Sequence, residues 1–432
     1  MRERPKLIGR GIEKGTLSDD EVREFAAKAL GAIKLSGKRV LVIIPDHTRT
    51  APIPLFFKLL YDLIGGKVAK LDYLIALGTH PPLSEEKIFE LVGITPQERH
   101  TKYAKINFYN HHWDDPNALE IIGTVPADEI ERISNGLMRE DVPVTLNKLV
   151  FDYDQLVFIG PTFPHEVVGF SGGNKYLFPG IGGPDIIHFF HWLGAVITNP
   201  VINGTKDTPV RRLVDKAATF LNIPRLFFSL VVHFGKLSGL FIGSPEEAWS
   251  AAADLSSRLH IVYKKNPFHK VLGIAPKMYD ELWVAGKVMY KLEPVIADGG
   301  ELIIYGPHIK EVSYTHGKLI DQIGYHVRDY YLKRMQKFSD IPRGILAHST
   351  HVKGIGTFEN GIEKPRVQVF LATGIPKERC ERINLGYIDP TSIDPEDWAD
   401  REAEGYLLVR KAGEMLYRLA DGSVPTAIKL GR

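Results

Sequence analysis

The sequence predicts an α/β fold of two domains, each with a mainly parallel sheet, and an active site in the cleft between them. Short continuous apolar runs, such as residues 40–44, alternate with longer amphipathic segments. Such runs are typical of parallel strands buried on both faces. The pattern restarts after the polar segment 263–267, which we interpret as a linker. We therefore expect an N-terminal domain over residues 1–262 and a C-terminal domain over residues 268–411.

The N-terminal domain is expected to consist of strand–helix units. A first helix over residues 18–35 is indicated by Ser18 as its N-cap and by the acidic residues that follow. A further helix begins after Ser84. The other elements predicted for this domain are strands at residues 40–44, 71–77, 155–160 and 226–232, and helices at residues 55–65, 185–192, 210–221 and 245–259.

The C-terminal domain repeats the pattern on a smaller scale. Its predicted elements are strands at residues 271–275, 301–305, 344–348 and 367–371, and a helix at residues 280–290. A final helix is predicted within residues 402–419. We expect the C-terminal helix, at about residues 412–432, to pack back on the first domain.

Bulk composition excludes several classes of function. The net charge is +2, so no strong field favours a nucleic acid or a membrane as partner. The single cysteine, Cys380, excludes an intrachain disulfide and a multi-cysteine metal cluster. No apolar run approaches the roughly 18 residues that a membrane span needs, and the charged N-terminus lacks the apolar core of a signal peptide. We therefore expect a cytoplasmic protein.

Titratable side chains follow three of the predicted strands at the point where each strand ends. Asp46 and Arg49 follow the first strand, His80 follows the second, and His165 comes after the strand at residues 155–160. Because the carboxyl ends of parallel strands meet at one edge of a sheet, these side chains should converge there. The sequence therefore predicts a site at this edge.

A glycine-rich segment continues from His165 and carries two more candidate residues. Lys175 lies among glycines that allow close backbone approach, and His191 follows on a short helix, on the same face as His188. A buried loop with a surface lysine and packed histidines is the structural alternative, because titratable groups also serve structural roles.

The glycine-rich segment does not fit other known catalytic or binding motifs. It lacks the spacing of a phosphate-binding P-loop, and no dinucleotide fingerprint follows the first strand. Ser171 lies in a Gly-x-Ser-x-Gly pattern, but ten residues separate it from the strand, whereas a hydrolase elbow turns directly from strand to helix. For His111 and His112, a solvated loop is favoured over a metal site, since the spacing implies no third ligand.

The order and spacing of these residues match a known family from about residue 40 to residue 290. The matching motifs are Asp46-His47-Thr48-Arg49, Gly78-Thr79-His80-Pro81, the stretch from His165 to Lys175 with its Gly169-Phe170-Ser171-Gly172-Gly173 core, His191, and Gly286-Lys287. The intervals of ten residues from His165 to Lys175 and sixteen from there to His191 are the most specific. With these motifs, the sequence resembles the nickel-pincer lactate racemase family.

The resemblance implies a cofactor held by the N-terminal domain. This cofactor is the nickel-pincer nucleotide, Ni(II) pyridinium-3,5-bisthiocarboxylic acid mononucleotide, covalently linked at Lys175. His191 would bind the nickel, with His188 as a packed neighbour. The residues that would hold the rest of the nucleotide are Asp46, His47, Thr48 and Arg49. Enzymes that synthesise the cofactor would be partners of the protein.

The implied activity is racemisation or epimerisation of a 2-hydroxy acid at C2, by reversible hydride transfer to the cofactor. His80 and His165 would be the acid/base pair, and Lys287 would bind the substrate carboxylate. Inversion needs proton transfer on either face of the substrate, and histidine exchanges protons near neutral pH. A non-catalytic pincer-nucleotide carrier would not need both histidines. A sugar- or phosphate-binding protein without metal is the other alternative.

The substrate is expected to be larger than lactate. Trp283 and Val284 stand where the lactate enzymes have tyrosine and glutamine, which implies a bulkier wall without an amide. His348, His351 and Lys353 offer polar groups to a longer substrate. A sugar acid such as gluconate is favoured, and an aromatic hydroxy acid is the nearest competitor.

Overall fold

The computed structural model describes residues 6–426. Its strands, in chain order, are β1 (Ile8–Gly11), β2 (Arg39–Pro45), β3 (Lys70–Ala76), β4 (Phe108–Asn110), β5 (Leu119–Val125), β6 (Val142–Asn147), β7 (Gln155–Pro161), β8 (Pro164–His165), β9 (Gly169–Phe170), β10 (Arg225–His233), β11 (Lys236–Gly243), β12 (Ile261–Lys264), β13 (Phe268–Ile274), β14 (Ile296–Gly306), β15 (Gly356–Glu359), β16 (Ile362–Pro365), β17 (Gln368–Thr373), β18 (Gly386–Tyr387), β19 (Tyr406–Val409) and β20 (Leu416–Leu419). Its α-helices are α1 (Asp19–Gly31), α2 (Ile53–Ile64), α3 (Glu85–Val92), α4 (Pro96–His100), α5 (Ala127–Ile133), α6 (Pro184–Ile197), α7 (Asn199–Ile202), α8 (Pro209–Ala218), α9 (Pro245–His260), α10 (Leu282–Ala285), α11 (Lys287–Leu292), α12 (Gly317–Ile323), α13 (Arg328–Leu332), α14 (Arg343–Lys353) and α15 (Lys377–Arg382).

The larger sheet has seven strands in the order β1-β11-β10-β7-β2-β3-β4. The strands from β10 to β4 run parallel, and β11 and β1 pair antiparallel at one edge. Along β2, Val42 and Ile44 belong to the core that contains Phe56 of α2, whereas Leu41 and Ile43 belong to the core on the opposite face. Helices cover both faces of this sheet, which is why β2 is a continuous apolar run.

The smaller sheet has five strands in the order β18-β17-β14-β13-β19, and every neighbouring pair is parallel. Its core includes Val288 of α11 and Leu346 of α14. Trp192 of α6 belongs to the same core, so a helix that follows the glycine-rich segment also packs against the second sheet. The expected α/β fold with mainly parallel sheets is confirmed.

One predicted strand of the second part of the chain is wrong. Residues 344–348 lie in α14, a helix with nine buried residues that packs against α6. A short apolar run is compatible with a buried strand and with a segment of a buried helix, because hydrophobic periodicity does not distinguish the two. His348 and His351 therefore lie on the same helix, α14.

The predicted C-terminal helix is also wrong. Residues 402–419 form a 3-10 turn followed by β19 and β20, and β20 pairs in parallel with β12. Gly405 and Gly413 adopt φ angles of +83° and +107°, which a helix cannot include. Of the range 412–432, residues 427–432 lie outside the described residues. Residues 416–419 therefore contact the N-terminal part of the chain as a strand, β20, and not as a helix.

The boundary between the two expected domains stays a prediction. The seven-stranded sheet takes its strands from residues 8–243, and the five-stranded sheet takes its strands from residues 268–409. The segment 263–267, interpreted as a linker, begins inside β12. Within residues 6–426, no helix has both the length and the apolarity to cross a bilayer.

Candidate active site

The three polar strand ends meet in one solvent-open cavity. Strands β7, β2 and β3 are direct neighbours in the sheet and run parallel. Their carboxyl ends therefore open at the same edge, and the residues that follow them face one another. The predicted site residues that line this cavity are Asp46, Arg49, His80, His165, Lys175, His191, Trp283, Val284 and Lys287.

Two residues of the predicted cofactor-binding motif are not brought into this cavity. The side chain of His47 is exposed and does not line it. Thr48 lines an adjoining cavity, and its hydroxyl and backbone N–H donate to Asp46 at 2.6 and 3.1 Å. The Thr48 hydroxyl also accepts from the Arg49 guanidinium at 3.1 Å, so Thr48 links Asp46 to Arg49.

Asp46 and His80 form a buried pair across two neighbouring strand ends. Nδ1 of His80 donates to a carboxylate oxygen of Asp46 in a short hydrogen bond. Burial opposes ionisation of Asp46, but the charges of His80 and Arg49 and the Thr48 hydroxyl outweigh it and hold its pKa well below the ordinary range. An ionised carboxylate only accepts, so it keeps a proton of His80 on Nδ1, and in the neutral ring the lone pair is on Nε2.

His165 is held in a different way, on the two-residue strand β8 that pairs with β9. The backbone N–H of Val167 donates to its Nδ1 at 3.1 Å, and the carboxylate of Glu166 lies 3.4 Å from the same atom. Burial, reinforced by the positive charges of Lys175 and Arg49, lowers its pKa well below the ordinary value. The resting ring is therefore neutral.

Side chains from two helices bind the carbonyls of the glycine-rich loop. Arg211 of α8 donates to the carbonyl oxygens of Phe170 and Gly172, and the indole N–H of Trp249 donates to that of Ser171 at 2.9 Å. The hydroxyl of Ser171 donates to a main-chain carbonyl, 3.0 Å away, and not to a histidine. This arrangement fixes the loop, and it leaves the serine without the base that a hydrolase nucleophile needs.

The fixed loop presents Lys175 to the cavity from a 3-10 turn, Gly173–Tyr176. Burial, and then the charge of Arg49, lowers the pKa of Lys175 to about 7. About half of these side chains are then unprotonated at neutral pH, so the amine has a nucleophilic lone pair.

His191 projects from α6 toward the same cavity. Its Nδ1 donates to the carbonyl of Ile187 at 2.7 Å, which leaves Nε2 free, and burial lowers its pKa to about 3. A neutral imidazole whose other nitrogen binds a backbone carbonyl is the usual form of a metal-binding histidine. His188 instead lines a separate cavity and meets the edge of the Trp113 ring. Within residues 6–426, no three His, Cys, Asp or Glu side chains are grouped to hold a metal.

Helices α10, α11 and α14, whose residues belong to the core of the second sheet, supply the opposite wall of the cavity. Lys287 begins α11, and burial, followed by the charge of Arg49, lowers its pKa to about 7. Trp283 is stacked on His348 with ring centroids 3.8 Å apart. The hydroxyl of Tyr290 forms a hydrogen bond of 2.8 Å with Nδ1 of His348. Nε2 of His351, also in the wall, has no partner among the described residues.

Several residues depart from what the sequence led us to expect. Lys353 is directed away from the cavity and donates to the carbonyl of Asn384. His111 is not in a solvated loop: it is buried between the carbonyl of Gly182 at 2.9 Å and the amide of Asn147 at 3.0 Å. Burial lowers its pKa to about 4, so it is a packed, neutral side chain.

Sequence reasoning missed three lining residues. Glu166 and Tyr290 line the main cavity, and Lys291 lines the adjoining one. Lys291 lies one helical turn after Lys287, a spacing that places both on the same face of a helix. Glu166 directly follows His165, and an acidic neighbour to a candidate base was a signal available from the sequence.

Part of the chain matches a known protein family. Residues 23–202 match the family described as the lactate racemase N-terminal domain. The lactate racemase of Thermoanaerobacterium thermosaccharolyticum is 27% identical over 310 residues, 68% of this chain and 67% of that protein. The lactate racemase of Lactiplantibacillus plantarum is 27% identical over 256 residues, 57% of this chain and 56% of that protein.

Two solved structures resemble the whole chain. A Thermotoga maritima protein is 34% identical, with a TM-score of 0.86 over 94% of this chain and 100% of that one. The lactate racemase apoprotein of T. thermosaccharolyticum, 20% identical, has a TM-score of 0.71 over 96% of this chain and 95% of that one, which shows a shared fold. From the domain match, the relatives and the fold together, the chain belongs to the lactate racemase family.

Proposed function

We propose that this protein is a racemase or epimerase that inverts C2 of a 2-hydroxy acid larger than lactate. The observation that carries the proposal is that His80 and His165, which follow separate strands, line one cavity that Lys287 also lines. Two imidazoles can exchange protons with a substrate hydroxyl on opposite faces, and inversion requires both faces.

The chain's own residues fit the proposed nickel-pincer nucleotide. Lys175 offers a partly unprotonated amine for the covalent link, and His191 offers a neutral Nε2 for nickel. Asp46 and Arg49 lie in the same cavity and would hold the nucleotide. When bound, this group would accept the hydride of C2 and return it.

The remaining steps belong to side chains that bind substrate or move protons. Lys287 would hold the carboxylate, because a charge-assisted hydrogen bond keeps it in place while the rest of the molecule turns. Nε2 of His80 takes the hydroxyl proton on one face, and Asp46 stabilises the imidazolium that forms. His165 exchanges the proton on the other face.

The wall formed by Trp283 and Val284 supports a substrate larger than lactate. Trp283 is fixed by its contact with His348, so the wall is rigid. The unpartnered Nε2 of His351 favours a hydroxylated substrate such as gluconate, because a buried polar atom left without a partner costs about 1–3 kcal/mol. An aromatic hydroxy acid would leave that atom unpaired.

A screen of 2-hydroxy acids tests the proposal. The protein would be co-expressed with the cofactor-synthesis enzymes, its proposed partners in the cytoplasm, and assayed for nickel and sulfur content. Each pure enantiomer would then be followed by optical rotation. We expect inversion of a sugar acid or an aromatic hydroxy acid in preference to lactate. Nickel-loaded protein that inverts no member of the panel would support a non-catalytic nucleotide carrier. Protein without nickel or sulfur would support a sugar- or phosphate-binding protein.

A further inference from the structure

The two candidate bases differ in how their Nδ1 atoms are held. Nδ1 of His80 donates to a carboxylate, so its Nε2 always has a lone pair or carries an exchangeable proton. Nδ1 of His165 accepts the backbone N–H of Val167 at 3.1 Å. A neutral imidazole that accepts at one nitrogen carries its hydrogen on the other. The resting ring of His165 therefore has its hydrogen on Nε2.

This resting form cannot perform the role proposed for His165. To take a proton from substrate at Nε2, the ring must first have its hydrogen on Nδ1. After the transfer both nitrogens carry hydrogen, and the ring is an imidazolium. In both states Nδ1 is a donor, and the N–H of Val167 then faces another N–H. A second group must accept the Nδ1 hydrogen during the proton transfer.

Glu166 is placed to be that acceptor. Its carboxylate lies 3.4 Å from Nδ1 of His165, and its side chain is 15% exposed. No side-chain hydrogen bond to Glu166 is present among residues 6–426, and in that range His165 is the group within ion-pair distance of it. A half-buried carboxylate at this distance can accept the Nδ1 hydrogen, because an ionised carboxylate has only acceptor atoms.

We propose that Glu166 is a positioning residue that accepts the Nδ1 hydrogen of His165 whenever His165 exchanges a proton with substrate. The inference rests on the proposed two-base function. When His165 acts as base, the hydroxyl proton moves to Nε2 and the imidazolium pairs with Glu166. When it acts as acid, the Nε2 proton passes to the substrate oxygen and the ring returns to neutral with its hydrogen on Nδ1. Solvent then takes one proton from the histidine that acted as base and returns one to the histidine that acted as acid, so no proton is gained or lost over the cycle.

A graded pair of variants tests the proposal in the cofactor-loaded enzyme. Glu166→Gln keeps the shape and a neutral acceptor, and Glu166→Leu removes the acceptor. Glu414→Gln, a carboxylate in the wall of the adjoining cavity, is the matched control. Single-turnover formation of the keto acid is measured from each pure enantiomer. His165→Ala identifies the enantiomer whose hydroxyl faces His165, since that half-reaction is the one it loses.

The expected pattern is asymmetric. For the enantiomer that faces His165, the rate should fall about tenfold in Glu166→Gln, where a charge-assisted hydrogen bond becomes a neutral one. It should fall about 10²-fold in Glu166→Leu, as for a lost acid/base partner. For the opposite enantiomer both variants should stay within about threefold of the wild type. Equal losses for both enantiomers, or none, would overturn the proposal.

A second measurement does not depend on turnover. In ¹⁵N-histidine-labelled protein, the two ring nitrogens of His165 report which one carries hydrogen. We expect hydrogen on Nε2 in all three resting proteins; as the pH is lowered, the wild type and Glu414→Gln should gain hydrogen on Nδ1 at a higher pH than Glu166→Leu, because the Glu166 carboxylate accepts that hydrogen. If the wild type racemises nothing, this titration still tests Glu166, so failure of the proposed function is distinguished from failure of the inference. An identical pH dependence of the His165 spectra in all three proteins would refute it.

Discussion

Replacing Asp46 by asparagine tests the base assignment of His80 most directly. In the wild type one carboxylate oxygen accepts from both the hydroxyl and the N–H of Thr48, and the other accepts from His80. In Asp46→Asn the amide oxygen must stay on Thr48, because the amide NH₂ cannot face those two donors. The NH₂ then points at Nδ1 of His80, which can only accept from it. The hydrogen of His80 is forced onto Nε2, where the lone pair is needed.

The size of the effect follows from the loss of one general base. Such groups contribute about 10²–10⁴-fold, which is about 2.7–5.4 kcal/mol of transition-state stabilisation at about 1.36 kcal/mol per tenfold. The loss should fall on the enantiomer whose hydroxyl faces His80. Single-turnover rates would be normalised to the mass-determined fraction of cofactor-loaded protein, because Asp46 is also proposed to hold the nucleotide.

Thr48→Val is the matched control for this experiment. It removes the hydroxyl donor at 2.6 Å and leaves the carboxylate that orients His80. We expect a loss of less than about tenfold, the scale of one hydrogen bond. If Asp46→Asn keeps a rate within about threefold of the wild type, or if ¹⁵N spectra show hydrogen on Nδ1 of its His80, the carboxylate does not set the protonation of that ring and the reasoning fails.

The remaining predictions concern the cofactor residues and the two bases. His191→Ala should lose nickel by elemental analysis while His188→Ala largely keeps it, since only His191 lines the cavity; the reverse would mean that the wrong face of α6 was chosen. In cofactor-free protein, the rate at which Lys175 is acylated should rise with pH with a midpoint near pH 7, because its pKa is lowered to about 7 and the protonated amine is unreactive. A midpoint near pH 10, measured by peptide mass spectrometry, would contradict the burial of Lys175. In cofactor-loaded protein, Lys175→Ala should lack the mass adduct of the cofactor. The racemisation losses of His80→Ala and His165→Ala, each about 10²–10⁴-fold, should not multiply in the double variant, since both groups act in one cycle; a fully multiplicative loss, or wild-type turnover in either single variant, would exclude the two-base mechanism.

The parts of the fold that could be predicted are those with a local signal. The mainly apolar runs at residues 40–44, 71–77 and 155–160 became β2, β3 and β7, because a strand covered on both faces is composed mostly of apolar side chains. The segments at residues 344–348 and 402–419 were assigned wrongly. Their apolar content is similar in either state, and packing against α6 or pairing with β12 decided between helix and strand.

For the candidate site, the sequence by itself determined which residue types stand at the strand ends and how far apart they are. That was enough to expect Asp46, His80 and His165 in one place, since parallel neighbouring strands end at one edge. Only the tertiary structure decided which side chains pair. His80 and Asp46 are 34 residues apart, yet they share a hydrogen bond, while His47, beside Asp46, is exposed. Pairings of this kind depend on strand order and side-chain direction over long sequence separations, and no local pattern encodes them.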